Sequence, residues 1–179
     1  STSLLTRGLL VRVQSGEPFS MTDYQSLLRT FNAEGLKYLI VGGVAVNLHG
    51  YPRFTNDIDI LSKRSGLEPI LKNLDYLLNI DARQHPGIIG ALYNYTKQNV
   101  TSENLVVVGL RGGVELNGKD VTNVLYERRE IMPFFGIPIS VAGIRDMLDM
   151  KRYACLGGRN KSKDRLDMLA LQQLKSVIF

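Results

Sequence analysis

Tyr38-Leu39-Ile40-Val41-Gly42-Gly43 and Asp57-Ile58-Asp59-Ile60 decide how this chain reads. The first is an apolar run ending in two glycines, the pattern of a buried strand that stops at a turn. The second alternates acid and isoleucine. Successive strand side chains point to opposite faces, so Asp57 and Asp59 share one face while Ile58 and Ile60 enter the core on the other. Two carboxylates side by side repel, and without a counter-charge one of them holds its proton. A divalent cation removes that conflict. Mg²⁺ suits the pair because it takes hard oxygen ligands and completes its shell with substrate phosphates. The bland alternative is two solvated aspartates at the strand end of an ordinary α/β core.

The residues between the two runs sharpen the picture. Gly42-Gly43 opens a short helix over roughly 44–49, and Gly50-Tyr51-Pro52 breaks it. Glycines there let the backbone approach a ligand, and the free N–H groups of a helix start can face an anion. Arg53-Phe54-Thr55-Asn56 leads back into the acidic strand. Arg53 either reaches a bound triphosphate or forms the ion pair that positions Asp57 or Asp59. His49, at the helix end, is expected to cap or orient the turn rather than to bind metal.

Taken together, Gly42-Gly43, His49-Gly50, Arg53-x-Thr55 and Asp57-x-Asp59, in that order, resemble the signature of the polymerase-beta-like nucleotidyltransferase superfamily. The nearest branch holds minimal nucleotidyltransferases and the toxins of abortive-infection systems. Asp-x-Asp alone also occurs in glycosyltransferases and calcium loops; the ordered combination carries the likeness. It implies an α+β fold, a small mixed sheet flanked by helices with a C-terminal helical pair. It also implies transfer of a nucleoside monophosphate from an NTP to a hydroxyl. Asp57 and Asp59 would hold one or two Mg²⁺ ions, or Mn²⁺ in their place, with Gly42, Gly43 and Arg53 on the nucleotide.

The same resemblance asks for a third carboxylate on a strand beside the Asp-x-Asp strand. Val114-Glu115-Leu116 has the required form, which makes Glu115 the expected third catalytic carboxylate, a metal ligand that helps activate the attacking hydroxyl. A different register puts Arg111 there, and arginine serves as neither base nor ligand. Glu115 as a solvated hairpin residue is the other reading. Toward the C-terminus, Lys151 and the Lys163-Asp164 pair resemble the family's closing motif, which places both lysines near the nucleotide. Arg152, Arg159 and Lys161 are candidates for an acceptor such as tRNA. On this reading the protein is a toxin opposed by an antitoxin protein. Nucleotidylation of a small molecule or a protein, or a degenerate domain that binds only nucleotide or a partner, are the alternatives.

The 179 residues fit one compact core with a helical extension, and 44% apolar content supports a real core. The net charge of +5 is modest but concentrated near the C-terminus. Cys155 is the only thiol, which excludes a disulfide framework or a cysteine-rich zinc site. No Walker loop occurs, which argues against a P-loop NTPase. No apolar run approaches a membrane span, and a cytoplasmic protein is expected. Residues 1–20 read as an extraneous remnant, upstream readthrough or a disordered leader ahead of a natural start at Met21, 21–143 as the nucleotidyltransferase core and 144–179 as the helical extension. Periodicity predicts a helix buried through Tyr24, Leu27, Leu28 and Phe31, and another through Leu67, Ile70, Leu71, Leu74 and Leu77. Strands are expected over 88–95, 105–108 and 137–141, and turns at His85-Pro86-Gly87, Thr101–Asn104 and Asn117-Gly118. A helix over 144–154 closes at Gly157-Gly158. The last helix should bury Leu166, Leu169, Leu174 and Val177.

Overall fold

The computed structural model describes residues 21–53, 55, 57–84, 91–97, 107–111, 115–116, 119–156 and 161–178. Along them run α1 (Met21–Ala33), β1 (Tyr38–Val41), α2 (Gly42–Leu48), β2 (Asp57–Ser62), α3 (Arg64–Asn73), β3 (Tyr76–Gln84), β4 (Ala91–Lys97) and β5 (Val107–Arg111). β6 (Glu115–Leu116), β7 (Lys119–Asp120), α4 (Thr122–Glu127), β8 (Glu130–Phe134), β9 (Ile137–Val141), α5 (Ile144–Leu156) and α6 (Lys161–Ile178) follow. A seven-stranded sheet has the order β3-β4-β5-β2-β1-β9-β8, and β6 pairs with β7 in a separate two-stranded sheet. The sheet is mixed: β2 is antiparallel to β1 and parallel to β5, and β1 is parallel to β9.

The α+β class and the mixed sheet agree with the sequence, but the sheet is larger than expected. Its outer strands are the reason. β3 and β4 pair with each other across a register shift between Asn79 and Arg83, and their sequences carry weak alternation. β8 contains Pro133, which has no N–H to give a ladder; β8 is an edge strand, where that loss is tolerated. The central strands were legible because they are buried. All four residues of β1 are buried, as expected of a strand with neighbours on both sides.

Helical periodicity also holds where predicted for α1, whose Tyr24, Leu27, Leu28 and Phe31 are all buried. In α3 the buried residues are Leu67, Ile70 and Leu71. The helix stops at Asn73, and Asp75 (φ 62°) turns the chain into β3. Leu77 therefore lies on an edge strand and is exposed, contrary to the helical stripe assigned to it. The turns expected at His85-Pro86-Gly87, Thr101–Asn104, Asn117-Gly118 and Gly157-Gly158 lie outside the described residues. Among the described residues, no helix is long and apolar enough to cross a membrane.

Tyr38 opens β1 beneath the Phe31 ring, with centroids 5.2 Å apart, and its hydroxyl donates to Asn32 Oδ1 at 3.1 Å. Burial pushes its phenol up from 10.0 to about 12. The folded value exceeds the unfolded one, so this stabilising difference is complete below pH 10.0 and is lost as pH rises toward about 12. Thermal melts from pH 8 to 12 test this. Tyr38→Phe, though less stable at neutral pH through loss of the Asn32 contact, should lose stability less steeply than wild type above pH 10; parallel curves would refute the assignment.

Candidate functional site

β2 lies at the centre of the sheet between β1 and β5. Its alternation is as predicted: Ile58 and Ile60 are fully buried, whereas Asp57 and Asp59 on the other face are only half-buried. Asp59 stands opposite Val41, the last residue of β1, so its carboxylate reaches the glycine turn. Gly42 has φ +65°, a region that L side chains rarely adopt, and a Cβ there would lie 1.9 Å from Asp59 Oδ2. A Cβ at Gly43 would lie 2.6 Å from both Arg53 Nη2 and Thr55 Oγ1. The glycine pair thus makes room for the site's own side chains. It brings Asp59, Arg53 and Thr55 against one short piece of backbone.

Two residues absent from the sequence-based list hold this arrangement. Buried Thr55 donates from Oγ1 to Asp57 Oδ1 at 3.1 Å, which orients that carboxylate from beneath. Asn47, on α2, clamps the backbone of Arg53 in both directions: its Nδ2 donates to Arg53 O at 2.9 Å and its Oδ1 accepts from Arg53 N at 2.5 Å. His49 Nε2 lies 2.7 Å from Ala142 O, so the ring ties the end of α2 to the segment after β9.

Arg53 does form an ion pair, but with neither Asp57 nor Asp59. Its Nη1 donates to both oxygens of Asp167 on α6, at 3.0 and 2.8 Å. Lys151 of α5 joins the same cluster, with Nζ 2.7 Å from Asp164 and 2.8 Å from Asp167. Two buried carboxylates and two partly buried cations meet here, a formally neutral set. Lys163 takes no part; it is exposed, whereas its neighbour Asp164 is buried. Arg152 pairs with Asp149 at 3.1 Å on the surface. Arg159 lies outside the described residues.

The expected place for Glu115 needs correction. The strand beside β2 is β5, where Val107 stands opposite Asp57 and Gly109 opposite Asp59. β5 runs parallel to β2, so the chain leaves it at Arg111, opposite Leu61 and beyond the aspartates. Glu115 follows on β6, in the separate two-stranded sheet, opposite Asp120. A match of residue type cannot reveal register, which is why Val114-Glu115-Leu116 read as the neighbouring strand. Among the described residues no group of three or more His, Cys, Asp or Glu is placed to hold a metal. The aspartate pair still fits Mg²⁺: two hard carboxylates on one solvent-reaching face, one oriented by a hydroxyl, leave the remaining positions for phosphate oxygens.

No protein-family model and no curated protein matches the sequence. Solved structures do. A lincomycin-bound lincosamide antibiotic adenylyltransferase, LnuA, is 14% identical, covering 88% of this chain and 99% of its own with a TM-score of 0.57. A candidate nucleotidyltransferase from Thermotoga maritima is 17% identical over 92% of this chain and 98% of its own, with TM-score 0.54. A nucleotidyltransferase-like protein from Paracoccidioides brasiliensis is 20% identical over 86% and 75%, also with TM-score 0.54. At these identities the likeness is one of fold, and the fold is that of the nucleotidyltransferases.

Gly136, between β8 and β9, also has positive φ (+76°) but nothing within 4 Å of a built Cβ. Comparing alanine at the two positions isolates the clash from the backbone strain. In urea unfolding, Gly42→Ala should cost about 1–3 kcal/mol more than Gly136→Ala, the usual cost of overpacking. Equal losses would mean that Asp59 does not need the space.

Proposed function

We propose that this chain, built on the nucleotidyltransferase fold, moves a nucleoside monophosphate from an NTP to a hydroxyl acceptor, with the α-phosphorus bonding to the acceptor oxygen as pyrophosphate leaves. One observation carries the reading: Asp57 and Asp59 stand together on the accessible face of β2, with Asp59 Oδ2 filling the space above Gly42. A carboxylate pair against a glycine turn is suited to a phosphate chain and its cation. Asp57 and Asp59 would hold Mg²⁺, which, when bound, supplies charge stabilisation for the attacking and leaving oxygens.

The protein's own work is positioning. Thr55 fixes Asp57. Gly42 and Gly43 let Asp59, Arg53 and Thr55 crowd against the turn, so that the triphosphate would meet the aspartates and the charge of Arg53 together. Lys151, already shared between Asp164 and Asp167, supports this wall from behind. Exposed Lys163 is assigned a looser role, attracting the nucleotide or acceptor from solvent. Glu115 stays the candidate third acid only if β6 folds back toward Asp59 on binding. Otherwise the acceptor hydroxyl loses its proton to Asp59 or to water.

Two acceptor classes have support. The net charge of +5 and the exposed Lys163 and Arg165 favour an RNA such as tRNA, and with it a toxin checked by an antitoxin. Against this, Arg152 and Lys151 are already paired within the protein. A small-molecule acceptor is favoured by the likeness to LnuA and to the antibiotic-resistance factor ANT(2'')-Ia, 14% identical, TM-score 0.51, over 89% of this chain and 94% of its own.

The protein should transfer label from an α-labelled NTP, with Mg²⁺, to either total tRNA or a panel of hydroxylated antibiotics. Chelation by EDTA and the double change Asp57→Ala/Asp59→Ala should each reduce transfer to background. Label that enters nothing, or enters equally with the double variant, would remove the transferase reading. In the same assay, Glu115→Ala separates its two roles: full activity would exclude it from catalysis.

A further inference from the structure

The guanidinium of Arg53 is only half used by the protein. Asp167 takes Nη1 with both of its oxygens. Nε is buried and has no hydrogen-bond partner, and Nη2 donates no hydrogen bond among the described residues. Nε and Nη2 form the side-on edge of the guanidinium, the pair of parallel donors that matches two oxygens of one phosphate. A buried donor without a partner costs free energy, so its retention calls for an explanation. The edge lies against Gly43, since a Cβ there would meet Nη2 at 2.6 Å, and Gly43 adjoins the turn that carries Asp59.

We infer that Asp167 is a positioning residue: by gripping Nη1 it holds Arg53 with its Nε–Nη2 edge turned to the glycine pair, ready for a phosphate of the bound nucleotide. The inference rests on the reading of the aspartates as an NTP site. Free, an arginine has several rotatable bonds, and holding it in one pose before binding avoids that ordering cost when the ligand arrives. Arg53 is held at both ends. Asn47 fixes its backbone and Asp167 fixes its tip. Lys151 shares Asp167 at 2.8 Å and reaches Asp164 at 2.7 Å, so the four charges balance, and what Arg53 offers a phosphate is its unused Nε–Nη2 donor edge. Residues on α5 and α6 thereby form part of the phosphate site without touching the ligand. Their long sequence separation from Arg53 hid the connection.

A double-substitution cycle tests this with inorganic tripolyphosphate in Mg²⁺ buffer, read by calorimetry, beside urea unfolding of each variant. Arg53→Met and Asp167→Asn should each weaken binding about tenfold or more, the worth of a charge-assisted hydrogen bond. The pair together should be no weaker than Arg53→Met alone, because Asp167 acts through Arg53. If the two losses multiply, or Asp167→Asn lowers stability but binds like wild type, Asp167 is only structural and the inference falls. Should Asp167→Asn fail to fold, Arg53→Lys decides. It keeps a cation opposite Asp167 but removes the two-donor edge, so binding should again drop about tenfold, and unchanged binding overturns the inference. Wild type that binds no tripolyphosphate and transfers no label would instead remove the nucleotide site itself, and the inference with it.

Discussion

The carboxylate of Asp167 is 1% exposed and lies within 2.8 Å of two cations from different parts of the chain. An isolated charge in that position would be untenable, and so would either cation alone. Burying ions is expensive, and their attraction offsets the cost only when every partner is present with good geometry. Removing one member of such a set typically costs about 3–5 kcal/mol, whereas a surface pair such as Arg152–Asp149 is worth about 0–1 kcal/mol. The four-charge cluster is therefore a conditional device. It holds together the α2–β2 connection, α5 and α6, or it fails as a whole.

That condition shapes the site. Arg53 precedes Asp57 by a few residues, so whatever fixes its side chain limits how the chain can enter β2. Thr55 and Asn47 continue the same constraint, one under Asp57 and one along the Arg53 backbone. On the other side, Gly42 leaves room for Asp59 and Gly43 leaves room for Arg53 and Thr55. Pairing of β1 with β2 sets the distance between these halves, since Val41 stands opposite Asp59. Together these contacts gather Asp57, Asp59, Arg53 and Thr55 around one glycine turn.

α6 shows how such a device misleads a reading by periodicity. Leu166 and Leu169 have the spacing of a buried stripe, yet both are 58% exposed. Asp164, Asp167, Ala170 and Leu171 face inward instead. Hydrophobicity alone assigns aspartates to the outside, and only their partners on distant elements reverse that. Glu115 fails in a different way. Its flanking valine and leucine have the right type, but strand order and register put Gly109 beside Asp59 and leave β6 in another sheet. Leu77 was misplaced by a turn: α3 ends at Asn73, and Asp75 in a left-handed conformation turns the chain before the helical pattern can reach it.

By itself the sequence determined the central strands, the face that Asp57 and Asp59 share, the glycine turn beside them and the helical faces of α1 and most of α3. These are local consequences of side-chain alternation, helical period and the lack of a Cβ, and each can be read from a few neighbouring residues. Tertiary structure decided the rest: the seven-strand order, the partner of Arg53, the inward turn of Asp164 and Asp167 and the displacement of Glu115 from β2. Each of those depends on which distant charges and edges meet. A buried carboxylate becomes favourable only when its cations arrive, and register only exists once two strands pair. Neither can be written in the residues of one segment.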